Sequence, residues 1–264
     1  MAAPAWATTY YISPTGNDTT GTGLTAGSPK KSFTQFFAAS PALPLSPGDT
    51  LEFADGTYTE GTTGLPSINC SPGGNANNGT AGNVITLKAK NERRARIEGN
   101  GIEPTLRIAS CSYYIIEGLD LRNKDVVTTS GRGFVLQMDT SRYITARRNL
   151  VSHPNRKCVG TTNGCNVHAI HVLKSDHCLV EENEVFDYHR HGISVAASTE
   201  IDVRRNFVSR GNVPPQSRCM STGAWCSSTA ECQDCTEVST VSTPITCYPA
   251  SHTRVDNNIA WGAL

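Results

Sequence analysis

Apolar residues in this chain alternate in short runs, and the runs recur in a frame marked by asparagine. Four segments share it: "ITARRNLV" at Asn149, "CLVEENEV" at Asn183, "IDVRRNFV" at Asn206 and "TRVDNNIA" at Asn258. An earlier segment, "YIIEGLDL", fits with Leu119 in the Asn position. Successive spacings are 30, 34, 23 and 52 residues, so the unit is 23 residues and the longer gaps carry insertions of 7, 11 and 29. Local alternation is the period of a strand rather than of a helix. Counting back thirteen and eleven residues from each of the first four frame positions gives Leu106/Ile108, Leu136/Met138, Ile170/Val172 and Ile193/Val195, all apolar. A second strand therefore precedes each frame position at a fixed offset.

Repeats of 20 to 50 residues built from short strands predict stacked coils, each about 4.8 Å above the last. The pattern predicts an all-β solenoid, a parallel β-helix. Asn149, Asn183 and Asn206 then form an internal ladder in which each side-chain amide satisfies the bend of the next coil. Asn258 joins if the largest insertion returns the chain in register. The residues before each Asn alternate in sign, Arg147, Glu181, Arg204 and Arg148, Glu182, Arg205. They read as salt-bridge columns between coils rather than as metal ligands.

Residues 1–60 read as an N-terminal cap with opening strands, and 61–264 as the coils. In "SPKKSFTQFFAAS" a short amphipathic helix is predicted from Ser28, with a Ser N-cap and Pro at its first position. Phe33, Phe36 and Phe37 on that helix would plug the open first coil. The pattern at "DNNIAWGAL" stops in mid-strand, so the native protein is expected to continue.

The formal net charge of zero argues against nucleic-acid binding. No apolar run reaches eighteen residues, so no membrane-spanning helix is expected. Ten cysteines point to an oxidising compartment, hence a secreted, extracellular or periplasmic protein. "MAAPAWATTYY" then reads as an initiator Met before a mature secreted chain. Cys219, Cys226, Cys232, Cys235 and Cys247 lie in a turn-rich insertion at about 211–250, where disulfides are expected and the single C-x-x-C is a weak zinc signal. Cys158 and Cys165 are expected to pair, and Cys178 to be a core thiol.

The run "YYISPTGND…SPKKSF…PGDTLEFADGTYTE…VITLKAKNERRARIEG" resembles the opening of secreted right-handed parallel β-helix proteins, the pectate-lyase-like superfamily. The likeness implies a right-handed solenoid with a short capping helix that acts on a polysaccharide as a monomer. "HVLKSDHCLVEENEVFDYHRHG" resembles a segment of its alginate-lyase and chondroitinase-like enzymes. That likeness implies β-elimination on a uronic-acid glycan, with Lys174 in the position of the Brønsted base. Calcium is the cofactor it would bring, but "NVHAIHV" holds none of the acidic ligands that precede the family's lysine. From the residues themselves, the outward catalytic candidates are Lys174, His171, His191 and Arg190, with His168, Asp187 and His189 as substrate contacts. They can neutralise a carboxylate, abstract the neighbouring proton and protonate a leaving oxygen. The same inventory suits a glycan-binding groove, and "RHGIS" also resembles polygalacturonase hydrolases, whose paired aspartates are not matched here.

Overall fold

The computed structural model describes residues 7–38, 40–59, 67–101, 104–124, 134–152, 168–188, 191–211, 216–219, 225–226, 235–238, 243–248 and 250–263. These residues wind through three parallel sheets of eight, seven and six strands. A coil is typified by Arg142–Arg147, Leu150–Ser152 and His168–Leu173, one strand in each sheet. The next coil repeats it with Leu179–Glu181, Glu184–Phe186 and His191–Ala196. Each strand pairs with its equivalents one coil away, as in Leu150↔Glu184 and Ile170↔Ile193.

The paired offsets found in the sequence are the inward positions of the six-stranded sheet. Leu106, Leu136, Ile170 and Ile193 form one stacked column and Ile108, Met138, Val172 and Val195 the next. All eight are buried. Fully burying each such side chain stabilises the fold by about 1.5–3 kcal/mol, so four coils of two columns dominate the local energetics.

The asparagine ladder forms and runs through four members. Asn149 Nδ2 donates to Asn183 Oδ1 at 3.0 Å, Asn183 Nδ2 to Asn206 Oδ1 at 3.0 Å, and Asn206 Nδ2 to Asn258 Oδ1 at 2.9 Å. The same Oδ1 atoms accept the backbone N–H of the preceding Asn. Just before each Asn, Arg148, Glu182, Arg205 and Asn257 take positive φ of 51–56°. The left-handed bend is costly for such residues, and the saturated ladder behind it holds the turn.

A second ladder, of serines, crosses the bend into the eight-stranded sheet. Ser141 N–H donates to Ser175 Oγ and Ser175 N–H to Ser198 Oγ, at 3.1 and 3.0 Å. Cys111 heads this column and donates its N–H to Ser141 Oγ. Cys111 is also bonded to Cys70, a disulfide that the repeat frame did not foreshadow because Cys70 lies outside it. Cys178 is a buried free thiol, as expected, and burial pushes its pKa up to about 11.

The charge columns alternate as the frame requires. Arg204 Nε meets Glu181 at 3.1 Å, Arg205 meets Glu182 at 3.0 Å, and Arg147 meets Glu117 at 2.6 Å.

The cap differs from expectation in one respect. The helix is confined to Thr34–Phe37, and Phe33 precedes it without a side-chain cap. Ser28–Lys30 do not start it, because their backbone is claimed elsewhere: Ser28 by Gly23 and Thr25, Pro29 by Asn17 and Lys30 by the first strand and its end. Lys30 N–H donates to Tyr11 O, and Ser13 N–H donates to Lys30 O. The plug itself forms: Phe33, Phe36 and Phe37 are buried, and Phe33 packs 4.7 Å from Phe37 and 5.9 Å from Phe53.

Part of the 211–250 insertion is a small antiparallel sheet of Gln216–Cys219, Trp225–Cys226 and Cys235–Val238. The side chains of this sheet, Cys232, and the Cys158–Cys165 pair lie outside the described residues. Cys247 is free and exposed, so it is not one of the insertion's cross-links.

Candidate active site

Between the two inward columns of the six-stranded sheet runs an outward one. In strand order it is Arg107, Gln137, His171, Ser194 and Thr246, each paired with the next. Every member lies twelve residues before a frame position, so the column was present in the sequence as the residue between two apolar hits. Ser194 and Thr246 are chemically plain, so only this shared offset marks them in the sequence.

Three of the predicted histidines gather here, His171 in this column and His168 and His191 beside it. His168 and His191 begin their strands and are paired across one coil, with ring centroids 4.7 Å apart. His168 also lies 4.7 Å from His171, and Phe134 packs 4.6 Å from His171 and 5.3 Å from His168. All three imidazoles are buried. His171 has its pKa lowered to about 4, chiefly because burial disfavours the charged ring, with Asp139 opposing more weakly. It is neutral at neutral pH.

His191 joins two hydroxyls on the following coil. Its Nε2 lies 2.7 Å from Tyr248 Oη and its Nδ1 3.0 Å from Thr246 Oγ1. A neutral imidazole has one donor and one acceptor, and a hydroxyl serves either. Both tautomers are thus accommodated, and a proton can pass between His191 and Tyr248 without rearrangement. Tyr248 itself is exposed, so the pair joins a buried ring to a residue at the surface. Tyr248 was missed by the sequence reading because it belongs to the coil beyond the largest insertion.

The remaining candidates are distributed differently. Lys174 is exposed at the bend after Leu173, with φ of 48°. It borders a depression shared with Ser175, Asp176, Ala197, Ser198 and Thr199. Among the described residues no hydrogen bond or ion pair joins it to the histidines. Asp187 is half-buried at a left-handed bend after Phe186. His189 and Arg190 lie outside the described residues. Asp139 is near enough to His171 to act on its charge, and it is paired to Arg107 at 2.5 Å. The described residues contain no cluster of three or more acidic, His or Cys groups arranged to hold a metal.

In the sequence, the longer connections come just before strands of this sheet: 125–133 before Leu136–Asp139, 153–167 before His168–Leu173, and the stretch after Gly211 before Thr243–Cys247, which belongs to the sheet and so ends the insertion sooner than expected. His168 and His191 each open a strand of the rigid scaffold, and residues beside insertions commonly take part in sites.

No protein-family model and no curated protein sequence matches this chain. Solved structures do. The pectate lyase Pel9A superposes with a TM-score of 0.52 at 15% identity, over 80% of this chain and 56% of its own. The chain has the pectate-lyase-like right-handed parallel β-helix fold. A rhamnogalacturonan lyase matches with a TM-score of 0.49 at 15% identity, over 77% of this chain and 57% of its own. The chain thus spans little more than half the length of either structure. At 15% identity the likeness to Pel9A shows the fold alone, and activity has to be argued from the site.

Proposed function

We propose that this β-helix acts on a polysaccharide and cleaves a uronic-acid-containing glycan by β-elimination at the His191–Tyr248 pair. The observation that carries the reading is the 2.7 Å hydrogen bond between a buried imidazole and an exposed phenol. Tyr248 passes its proton to His191 and then takes the proton on the carbon beside the sugar carboxylate. The bond from the adjacent carbon to the glycosidic oxygen breaks, a carbon–carbon double bond forms, and the departing oxygen takes a proton back from the pair. Atoms and charge balance without water or a cofactor. Arg190, next to His191 in sequence, is the proposed partner of the carboxylate. Lys174 at the bend is proposed to contact the glycan, since its position favours that over the role of base.

Elimination is favoured over hydrolysis because glycoside hydrolysis ordinarily needs two carboxylates flanking the bond. The described residues beside the histidines offer Asp139, which Arg107 already neutralises. Secretion is part of the proposal, supported by the Cys70–Cys111 disulfide.

The test is incubation with alginate, pectate, glycosaminoglycans and neutral glycans, following both the ultraviolet absorbance of unsaturated ends and the appearance of reducing ends. Unsaturated product from one acidic glycan, reduced at least about a hundredfold in His191→Ala, is the expected result. Reducing ends without unsaturation would replace elimination by hydrolysis. Binding without either product would make the protein a glycan-recognition module.

A further inference from the structure

We propose that His171 and Ser194 form a recognition point for a neutral sugar group, so that the glycan is a heteropolymer in which a neutral or N-acetylated sugar adjoins the uronate. The proposal rests on the polysaccharide reading above and adds the identity of the neighbouring sugar.

His171 and Ser194 are directly paired on adjacent strands of the outward column. His171 is 6% exposed and Ser194 0%. His171 Nδ1 and Ser194 Oγ are both buried without a hydrogen-bond partner, and so is Arg107 Nε in the same column. Buried polar atoms in folded proteins nearly always have partners, and each exception requires a reason. Other such atoms include Arg148 Nε, Tyr188 Oη and Thr253 Oγ1, none of them in this column. The asparagine and serine ladders on the same coils are saturated, so the fold supplies partners where structure alone requires them. In the outward column a partner from outside is implied.

The chemistry of that partner follows from the two groups. A serine hydroxyl both donates and accepts, and a neutral imidazole does the same through its two nitrogens. A sugar hydroxyl or an acetamido group can answer both. A carboxylate could accept from both, but it would have to shed its water in a buried place beside an imidazole that burial keeps neutral above about pH 4. The uronate therefore belongs elsewhere, at the Tyr248 oxygen. Ser194 pairs with Thr246, which in turn bonds His191, so the recognition point lies one coil from the proton-transfer pair. A coil step of about 4.8 Å is comparable with the length of one pyranose along a glycan.

The experiment measures binding to His191→Ala, whose turnover is removed, and to His191→Ala/Ser194→Ala. The probes are two tetrasaccharides, one alternating uronate with N-acetylhexosamine and one of uronate only. The alternating probe should bind at least about tenfold tighter, and that preference should vanish without the Ser194 hydroxyl. Equal binding, preference for the uronate-only probe, no binding of either, or a preference that survives Ser194→Ala would overturn the proposal. The last result would leave the two orphans to a buried water. A preference that behaves as expected, alongside a wild-type protein yielding no unsaturated product, would uphold this inference while removing β-elimination.

Discussion

Two columns of polar side chains run along the same coils and are treated in opposite ways. The asparagine ladder points inward, and each Nδ2 has a partner in the next coil or a backbone carbonyl. The histidine–serine column points outward from the six-stranded sheet, is equally shielded, and leaves Nδ1 of His171 and Oγ of Ser194 unmatched. Burial is similar and satisfaction differs. A polar group that the scaffold needs is given a partner by the next repeat, whereas one kept for a ligand is left waiting. In a solenoid this contrast is unusually clean, because each coil serves as its neighbour's control.

The sharpest way to break the comparison is on the inward side. Asn183→Ala removes the Oδ1 that accepts from Asn149 N and Nδ2, and the Nδ2 that donates to Ala146 O and Asn206 Oδ1. Each buried donor left unmatched costs about 1–3 kcal/mol, so a loss of about 4 kcal/mol is expected in denaturant unfolding. A loss below about 1 kcal/mol would mean the ladder is decorative.

Acid provides the next test, on the outward side. Above pH 6.5 the His171 ring is neutral in both folded and unfolded chains and contributes no pH dependence. Between 6.5 and about 4 the unfolded chain binds a proton that the folded chain refuses, so stability falls as pH falls through that window. The full shift corresponds to about 3 kcal/mol. His171→Gln should flatten the curve in that window, and an unchanged curve would contradict the desolvated, neutral ring.

A matched pair of serines gives the smallest effect and the finest discrimination. Ser198 Oγ accepts from Ser175 N–H, so Ser198→Ala should destabilise by about 1–2 kcal/mol. Ser194 Oγ has no such partner, and Ser194→Ala should be neutral or stabilise by about 1 kcal/mol. Equal losses in both would show that the outward serine is structural after all.

The unequal legibility of the two columns has a physical cause. The inward residues repeat because identical surroundings select identical chemistry, so Asn149, Asn183, Asn206 and Asn258 declare both the fold and its register. Outward residues change from coil to coil, since a ligand meets each coil differently. His168 and His191 could be stacked from their 23-residue separation, but Ser194, Thr246 and Tyr248 carried no signal beyond their offset from the frame. Lys174 was named both from the residues and from the resemblance, and it stands at the left-handed bend after Leu173, beside a depression that the histidines do not line. The helix begins later than local helix-start rules imply because Ser28 and Pro29 are bonded within the preceding loop and Lys30 to the first strand.

Tyr248→Phe tests most directly whether the outward column carries chemistry rather than structure. It removes one hydroxyl, whose described partner is His191 Nε2, and leaves the ring of this exposed residue in place. Turnover of the acidic glycan identified by the screen and the thermal midpoint should be measured on the same preparation. The account predicts a loss of at least about a hundredfold in turnover with a midpoint unchanged within error. Full turnover by a well-folded Tyr248→Phe protein would contradict it.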